Sequence, residues 1–166
     1  MVRFIDPLYS NTFIDSNILN EIAGEEEGAI REIVAAADQG EIVVLLPYSV
    51  CEEVARPSTP SYVKDVVKLF VYSIEVPLTD RERTSRRDFV EMNRGNAKPE
   101  NIDADLLHVW ESAKNGGGHF ITRDKRLIAR ASGIAKLLQI EVIDPIAFLE
   151  RLVEARKRSA DFSSER

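Results

Sequence analysis

Cysteine occurs once in this chain of 166 residues, at Cys51, and histidine twice, at His108 and His119. A single cysteine excludes an internal disulfide, which fits a reducing compartment and points to the cytoplasm. With so few thiols and imidazoles, a closed thiolate–imidazole zinc site is excluded too. No stretch reaches the roughly 18 consecutive apolar residues of a membrane span. Arg3 and Asp6 near the start do not read as a secretory signal. Excess positive charge is also missing. The net charge of −6 is not the basic surface that usually accompanies nucleic-acid binding, although a cation held by carboxylates and a few local arginines could serve a phosphate ligand without one. No internal repeat is visible.

What is present is a globular composition, 44% apolar, enough for one packed domain. The spacing predicts a single domain over 1–154 and a charged, Ser-rich flexible tail over 155–166. Short apolar runs alternate with helical patterns. Strands are expected near 12–15, 42–46, 73–77, 119–122 and 139–143. Helices are expected from Ser16 to Gly24, Glu25 to Asp38, Ser49 to Ala55, Tyr62 to Val71, Thr79 or Asp80 to Met92, Asp103 to Ala113, Lys125 to Ala131 and Pro145 to Val153. Ile42 to Leu46 is continuously apolar, as in a strand buried on both faces. The region from Arg94 to Asn101 reads as a loop. Such alternation predicts an α/β fold: three layers, with a parallel sheet of about five strands between helices.

The chemistry lies in acids that end strands or open helices. Asp15 ends the first strand, Glu52 and Glu53 follow the second, Asp103 and Asp105 open the helix before the fourth, and Asp124 stands just beyond it. In a parallel sheet the strand ends share one edge, where α/β folds bind ligands. Taken singly, each acid is equally well a helix cap or a loop residue. Together, converging carboxylates repel one another unless a cation neutralises them, and an all-oxygen donor set suits Mg²⁺ or Mn²⁺. Such ions activate water and stabilise the leaving oxygen in phosphodiester cleavage. Neighbours on a helix stand about 100° apart, so only one of Glu52 and Glu53 faces a cleft; Asp103 and Asp105 stand about 200° apart. Asp103 is therefore expected as the helix cap and held as a reserve ligand.

Four motifs in order carry a resemblance: Asp15-Ser16-Asn17-Ile18-Leu19; Glu53-Val54 in the helix after the second strand; Asp105-Leu106-Leu107-His108; and Thr122-Arg123-Asp124. Over residues 12 to 145 the chain resembles the PIN-domain family, to which the toxin nucleases of VapC type belong. The resemblance implies a metal-dependent endoribonuclease that leaves a 5′-phosphate and a 3′-hydroxyl. It assigns Asp15, Glu53, Asp105 and Asp124 as catalytic metal ligands for Mg²⁺ or Mn²⁺, and implies an RNA substrate, an antitoxin partner and a homodimer. Trp110 and Ser112, where the family often has small residues, depart from the pattern, as do the loop and the tail.

Asn17 and Thr122 are expected to hydrogen-bond the ligands or metal-bound waters. Between Asp80 and Asn101, six basic residues face five acidic ones; of these, Arg86, Arg87 and Arg94 are the candidates for holding an RNA backbone, against the alternative of a solvated helix face. His108 either meets substrate phosphate or simply lines a helix. His119 and Trp110 are expected in the core, and Cys51 as a small buried filler. Two rival functions remain open. One is a non-catalytic PIN-type module that binds RNA or protein. The other is a receiver-like domain, disfavoured because Pro77-Leu78-Thr79 follows the third strand where an acceptor Asp is needed.

Overall fold

The computed structural model describes residues 4–23 and 28–164. Five strands form one all-parallel sheet: β1 (Asn11–Ile14), β2 (Val43–Leu46), β3 (Val71–Tyr72), β4 (Gly117–Ile121) and β5 (Glu141–Ile143). Their spatial order is β3-β2-β1-β4-β5. The chain builds outward from β1 through β2 to β3, then crosses back to lay β4 on the other side of β1. Phe13 pairs with Leu45 on one side and Phe120 on the other. The β1/β4 boundary is thus the topological switch point, where a crevice opens beyond the strand ends.

Alternation along the strands builds the two outer layers. Ile14, Ile121 and Ile143 point to one face, where α1 (Ser16–Ala23), α2 (Ala29–Asp38), α3 (Tyr48–Val54), α4 (Ser61–Val67) and α9 (Pro145–Ser164) supply Ile18, Ile33, Val50, Val63 and Phe148. Phe13, Phe120 and Val142 point to the other, against α5 (Asp80–Arg94), α6 (Pro99–Lys114), α7 (Lys125–Ile128) and α8 (Ala131–Leu138), from which Phe89, Leu106, Leu127 and Ile134 are buried. The result is a three-layer α/β/α fold, as the alternating pattern predicts. Among the described residues no helix is long and apolar enough to cross a membrane.

The structure corrects several boundaries. The expected third strand at 73–77 is displaced: β3 is only Val71–Tyr72, and α4 ends at Val67 rather than Val71. One more backbone bond, Ser73 N–H to the Leu46 carbonyl at 2.8 Å, prolongs the edge before the chain leaves it. Ile74 is 77% exposed, so this apolar run is not core, and Pro77 has no N–H to offer a ladder. Nor is β2 buried on both faces, since Val43 is 52% exposed. The loop expected from Arg94 to Asn101 shrinks because Pro99, at the first turn, starts α6 four residues before Asp103. Helix α8 is an addition; Gly133 interrupts its apolar pattern and hides it from periodicity. The predicted stop at Gly24 and start at Glu25 lie outside the described residues.

The tail expected from residue 155 is helical instead, since α9 continues to Ser164. Ala155 is fully buried. Arg156 donates to both Glu41 oxygens at 2.7 Å, and the Arg158 guanidinium carbon sits 4.0 Å from the Phe4 ring centroid. The charges that make the segment read as a tail are the ones that pin it down.

Candidate metal centre

Asp15 comes straight off the end of β1 into the first turn of α1 and is buried. Every partner it has is local to the switch point. Its Oδ2 accepts from Thr122 Oγ1 at 2.7 Å and from Asn17 Nδ2 at 3.1 Å, and its Oδ1 accepts the Ser16 N–H at 2.7 Å. Burial pushes the Asp15 carboxyl up from its ordinary value; the Thr122 bond and the nearby His108 pull the other way, and the Glu53 charge adds to the rise. Asn17 also donates to Thr122 Oγ1 at 3.1 Å. Asn17 and Thr122, expected beside the ligands, therefore do hold Asp15, tying the strand-end acid of β1 to the end of β4.

Asp124 is reached through the same hydroxyl, because its backbone N–H donates to Thr122 Oγ1 at 3.0 Å. Its side chain caps α7 by accepting the Arg126 N–H at 2.8 Å. The Arg126 guanidinium then lies along the carboxylate, Nη2 to Oδ2 at 2.6 Å and Nε to Oδ1 at 3.0 Å. These bonds hold the Asp124 carboxyl below its usual range. The same Nη2 is 3.6 Å from Asp105 Oδ2.

Asp105 lies in the interior of α6, not at its start. Burial is the main cause that raises its carboxyl to about 7, and the charges of Asp15 and Asp124 add to it, against His108 and Arg126. Asp15, Asp105 and Asp124 therefore act on one another through space although they come from β1, α6 and the β4–α7 junction. Asp103, two positions away on the opposite side of the helix, is instead gripped by Arg94, with Nε to Oδ1 at 2.7 Å. The structure does not bring Asp103 to the other acids, and Arg94 is spent on it.

Glu53 comes from α3. Its Oε1 is 3.0 Å from His108 Nε2, and His108 Nδ1 is 2.7 Å from Ser49 Oγ. The hydrogen bond to His108 holds the Glu53 carboxyl low against the effect of burial. Burial alone would lower the imidazole; the bond to Glu53 and the charges of Glu53, Asp15 and Asp105 outweigh it and raise it. Glu111 closes the network from behind, with Oε2 accepting the Ser49 N–H at 3.0 Å. Glu52 instead lines an open groove with Tyr48, Arg86, Trp110 and Lys114. Glu53 is thus the member of the pair that joins the acids.

Sequence reasoning missed two of these residues, Ser49 and Arg126, and the part that a third, His108, plays beside Glu53. Ser49 is one turn before Glu53 on α3, and His108 is one turn after Asp105 on α6, so helical spacing places each beside an acid. Arg126 had no such signal, because a guanidinium two residues after an acid is ordinary at a helix start. Of the proposed phosphate contacts, Arg86 lines the groove, whereas Arg87 sits on the exposed face of α5 near Asp88 at 3.4 Å. Cys51 is only partly buried.

The four acids are thus linked but not assembled. Among the described residues, no three or more His, Cys, Asp or Glu side chains stand close enough together to hold a metal ion. The donor set is all oxygen, so its chemistry fits a hard divalent cation. Its oxygens, however, face protein partners. No protein-family model matches the chain, and no curated protein matches its sequence.

Proposed function

We propose that the protein is a metal-dependent endoribonuclease of PIN type, in which Asp15, Glu53, Asp105 and Asp124 would hold Mg²⁺ or Mn²⁺. One observation carries this: Asp15, Asp105 and Asp124, from three elements, are joined at the switch-point edge through Thr122 and Arg126, and Glu53 with its partner His108 lies near enough for their charges to act on Asp15. A buried cluster of this kind costs stability, and a site for a cation is the simplest use for it. When bound, the ion would supply an activated water and charge neutralisation at a phosphodiester.

The chain's own groups have separable tasks. Thr122 and Asn17 fix Asp15, whose position depends on β1 and β4 lying side by side. His108, oriented by Ser49, fixes the Glu53 carboxylate. Arg86, with Tyr48 and Lys114, lines the groove that adjoins Ser49, and is the residue proposed to hold the RNA backbone. That groove also carries Glu52, Glu75 and Glu111, so the arginine works by local contact rather than by a broad positive field. An antitoxin partner and a homodimer belong to this reading through the resemblance alone, and a cytoplasmic site of action through the lone cysteine.

The test pairs Mn²⁺ calorimetry with cleavage of a mixed-sequence RNA, on the wild type and Asp15→Asn. The expected result is cleavage leaving 5′-phosphates in the wild type only, with Mn²⁺ binding lost in the variant and circular dichroism unchanged. Equal cleavage by Asp15→Asn would sink the assignment. A specific observation favours a second reading, the non-catalytic RNA- or protein-binding module: Arg126 and His108 already satisfy Asp124 and Glu53. RNA binding without cleavage or Mn²⁺ uptake would select it.

A further inference from the structure

Arg126 is the point where the acid cluster meets the protein's own positive charge. Its guanidinium covers both carboxylate oxygens of Asp124, with Nε 3.0 and 3.2 Å from Oδ1 and Oδ2 and Nη2 2.6 Å from Oδ2. Nη2 also reaches within 3.6 Å of Asp105 Oδ2. Nη1 donates to the Asn101 carbonyl on α6, and the backbone N–H of the same arginine holds Asp124 Oδ1. One side chain thus spans the gap between α7 and α6 and occupies two of the four acids. The acids are the more buried partners: the side chain of Arg126 is 54% exposed, those of Asp105 and Asp124 only 24% and 13%.

We propose that Arg126 is an internal counter-cation that competes with the divalent ion for Asp124 and Asp105, so that metal enters only as the guanidinium swings out. This rests on the metal reading above and adds its regulation. A planar, forked guanidinium matches a carboxylate edge-on, which makes it a good occupant but a monovalent one, and it leaves Asp15 and Glu53 to other partners. A divalent ion brings more charge to the same oxygens. Because the Arg126 side chain is 54% exposed, it has water to swing into, at the cost of its bonds to Asp124 and to the Asn101 carbonyl. With Arg126 in place, Asp124 and Asp105 share one guanidinium, and this is the arrangement a divalent ion would have to displace.

The test measures Mn²⁺ affinity by calorimetry, and the unfolding midpoint with and without Mn²⁺, on the wild type, Arg126→Gln, Arg126→Lys and Arg156→Gln. The last removes the same unit of charge from an ion pair elsewhere, with Glu41. Arg126→Gln should bind Mn²⁺ about fivefold or more tighter than the wild type. Mn²⁺ should also raise its midpoint by more. Arg126→Lys, a point charge without the fork, should fall between, and Arg156→Gln should match the wild type. Binding by Arg126→Gln where the wild type is silent also supports the proposal. Equal or weaker binding by Arg126→Gln, or equal tightening in Arg156→Gln, overturns the proposal while leaving the metal site standing. No binding by any variant overturns both. If Arg126→Gln does not fold, Arg126→Lys decides, and wild-type affinity in that variant overturns the proposal.

Discussion

At the scale of single residues, the protein keeps two carboxylates far from their ordinary behaviour, in opposite directions and at opposite ends of the sheet. Asp105 is pushed up to about 7 by burial and by Asp15 and Asp124. Removing its charge should therefore relieve the metal-free protein. Asp105→Asn is expected to raise the unfolding midpoint by a few degrees at pH 8 while weakening Mn²⁺ binding, both read in one set of melts. Glu141, at the start of β5, is the reverse case. Its carboxyl falls from 4.5 to about 2, chiefly through His119, whose Nε2 is 3.4 Å away; burial opposes this, and Arg151 at 3.0 Å adds to it. A depressed carboxyl contributes stability that is present above the unfolded value and lost as pH falls through the folded one. Glu141→Gln should thus cost about 1–3 kcal/mol at pH 7. The gap from wild type should close between about pH 4.5 and 2, as measured by urea unfolding across that range.

At the scale of elements, the site depends on how closely α6 and β4 can approach. An added Cβ at Gly117 would lie 2.7 Å from the Ser112 carbonyl oxygen and 2.9 Å from Phe13 Cδ2. The first contact is backbone and cannot move aside. Gly117→Ala should cost about 1–3 kcal/mol and, by shifting β4 against α6, reduce Mn²⁺ affinity as well; equilibrium unfolding beside calorimetry would check both. On α5, Thr79 and Glu82 form a reciprocal capping box, with Glu82 N–H to Thr79 Oγ1 at 3.2 Å and Thr79 N–H to Glu82 Oε2 at 2.8 Å. The hydrogen bonds of this cap run between Thr79 and Glu82 and involve none of the four acids. Thr79→Ala should cost about 1 kcal/mol with Mn²⁺ binding unchanged, which separates loss of stability from loss of the site.

For the molecule as a whole, the last helix is part of the domain. Truncation after Glu154 removes the buried Ala155, the Arg156 pair with Glu41 and the Arg158 stack on Phe4. It should lower stability by roughly 1–3 kcal/mol; an unchanged midpoint after truncation would restore the dispensable tail that composition predicts.

The sequence by itself determined the class of fold and the order of its parts. Apolar runs of strand length separated by helical periods leave little choice but a parallel sheet between helices, because each element has to bury a face and parallel strands need crossovers. It also puts Asp15 and Asp124 at one edge, since both follow strands of a parallel sheet. What it could not decide was register around the helix axis and across the sheet. Asp103 and Asp105 differ only in which side of α6 faces β4, and that depends on Pro99 starting the helix early and on Arg94 taking Asp103. The motif distinguishes Glu53 from Glu52; the structure adds a His108 ring held by Ser49 and bonded to Glu53. Arg126 and the packed end of α9 were illegible for the same cause. Their charges read as solvated surface in one dimension, and only the folded chain brings Asp105, Glu41 and Phe4 within reach of them.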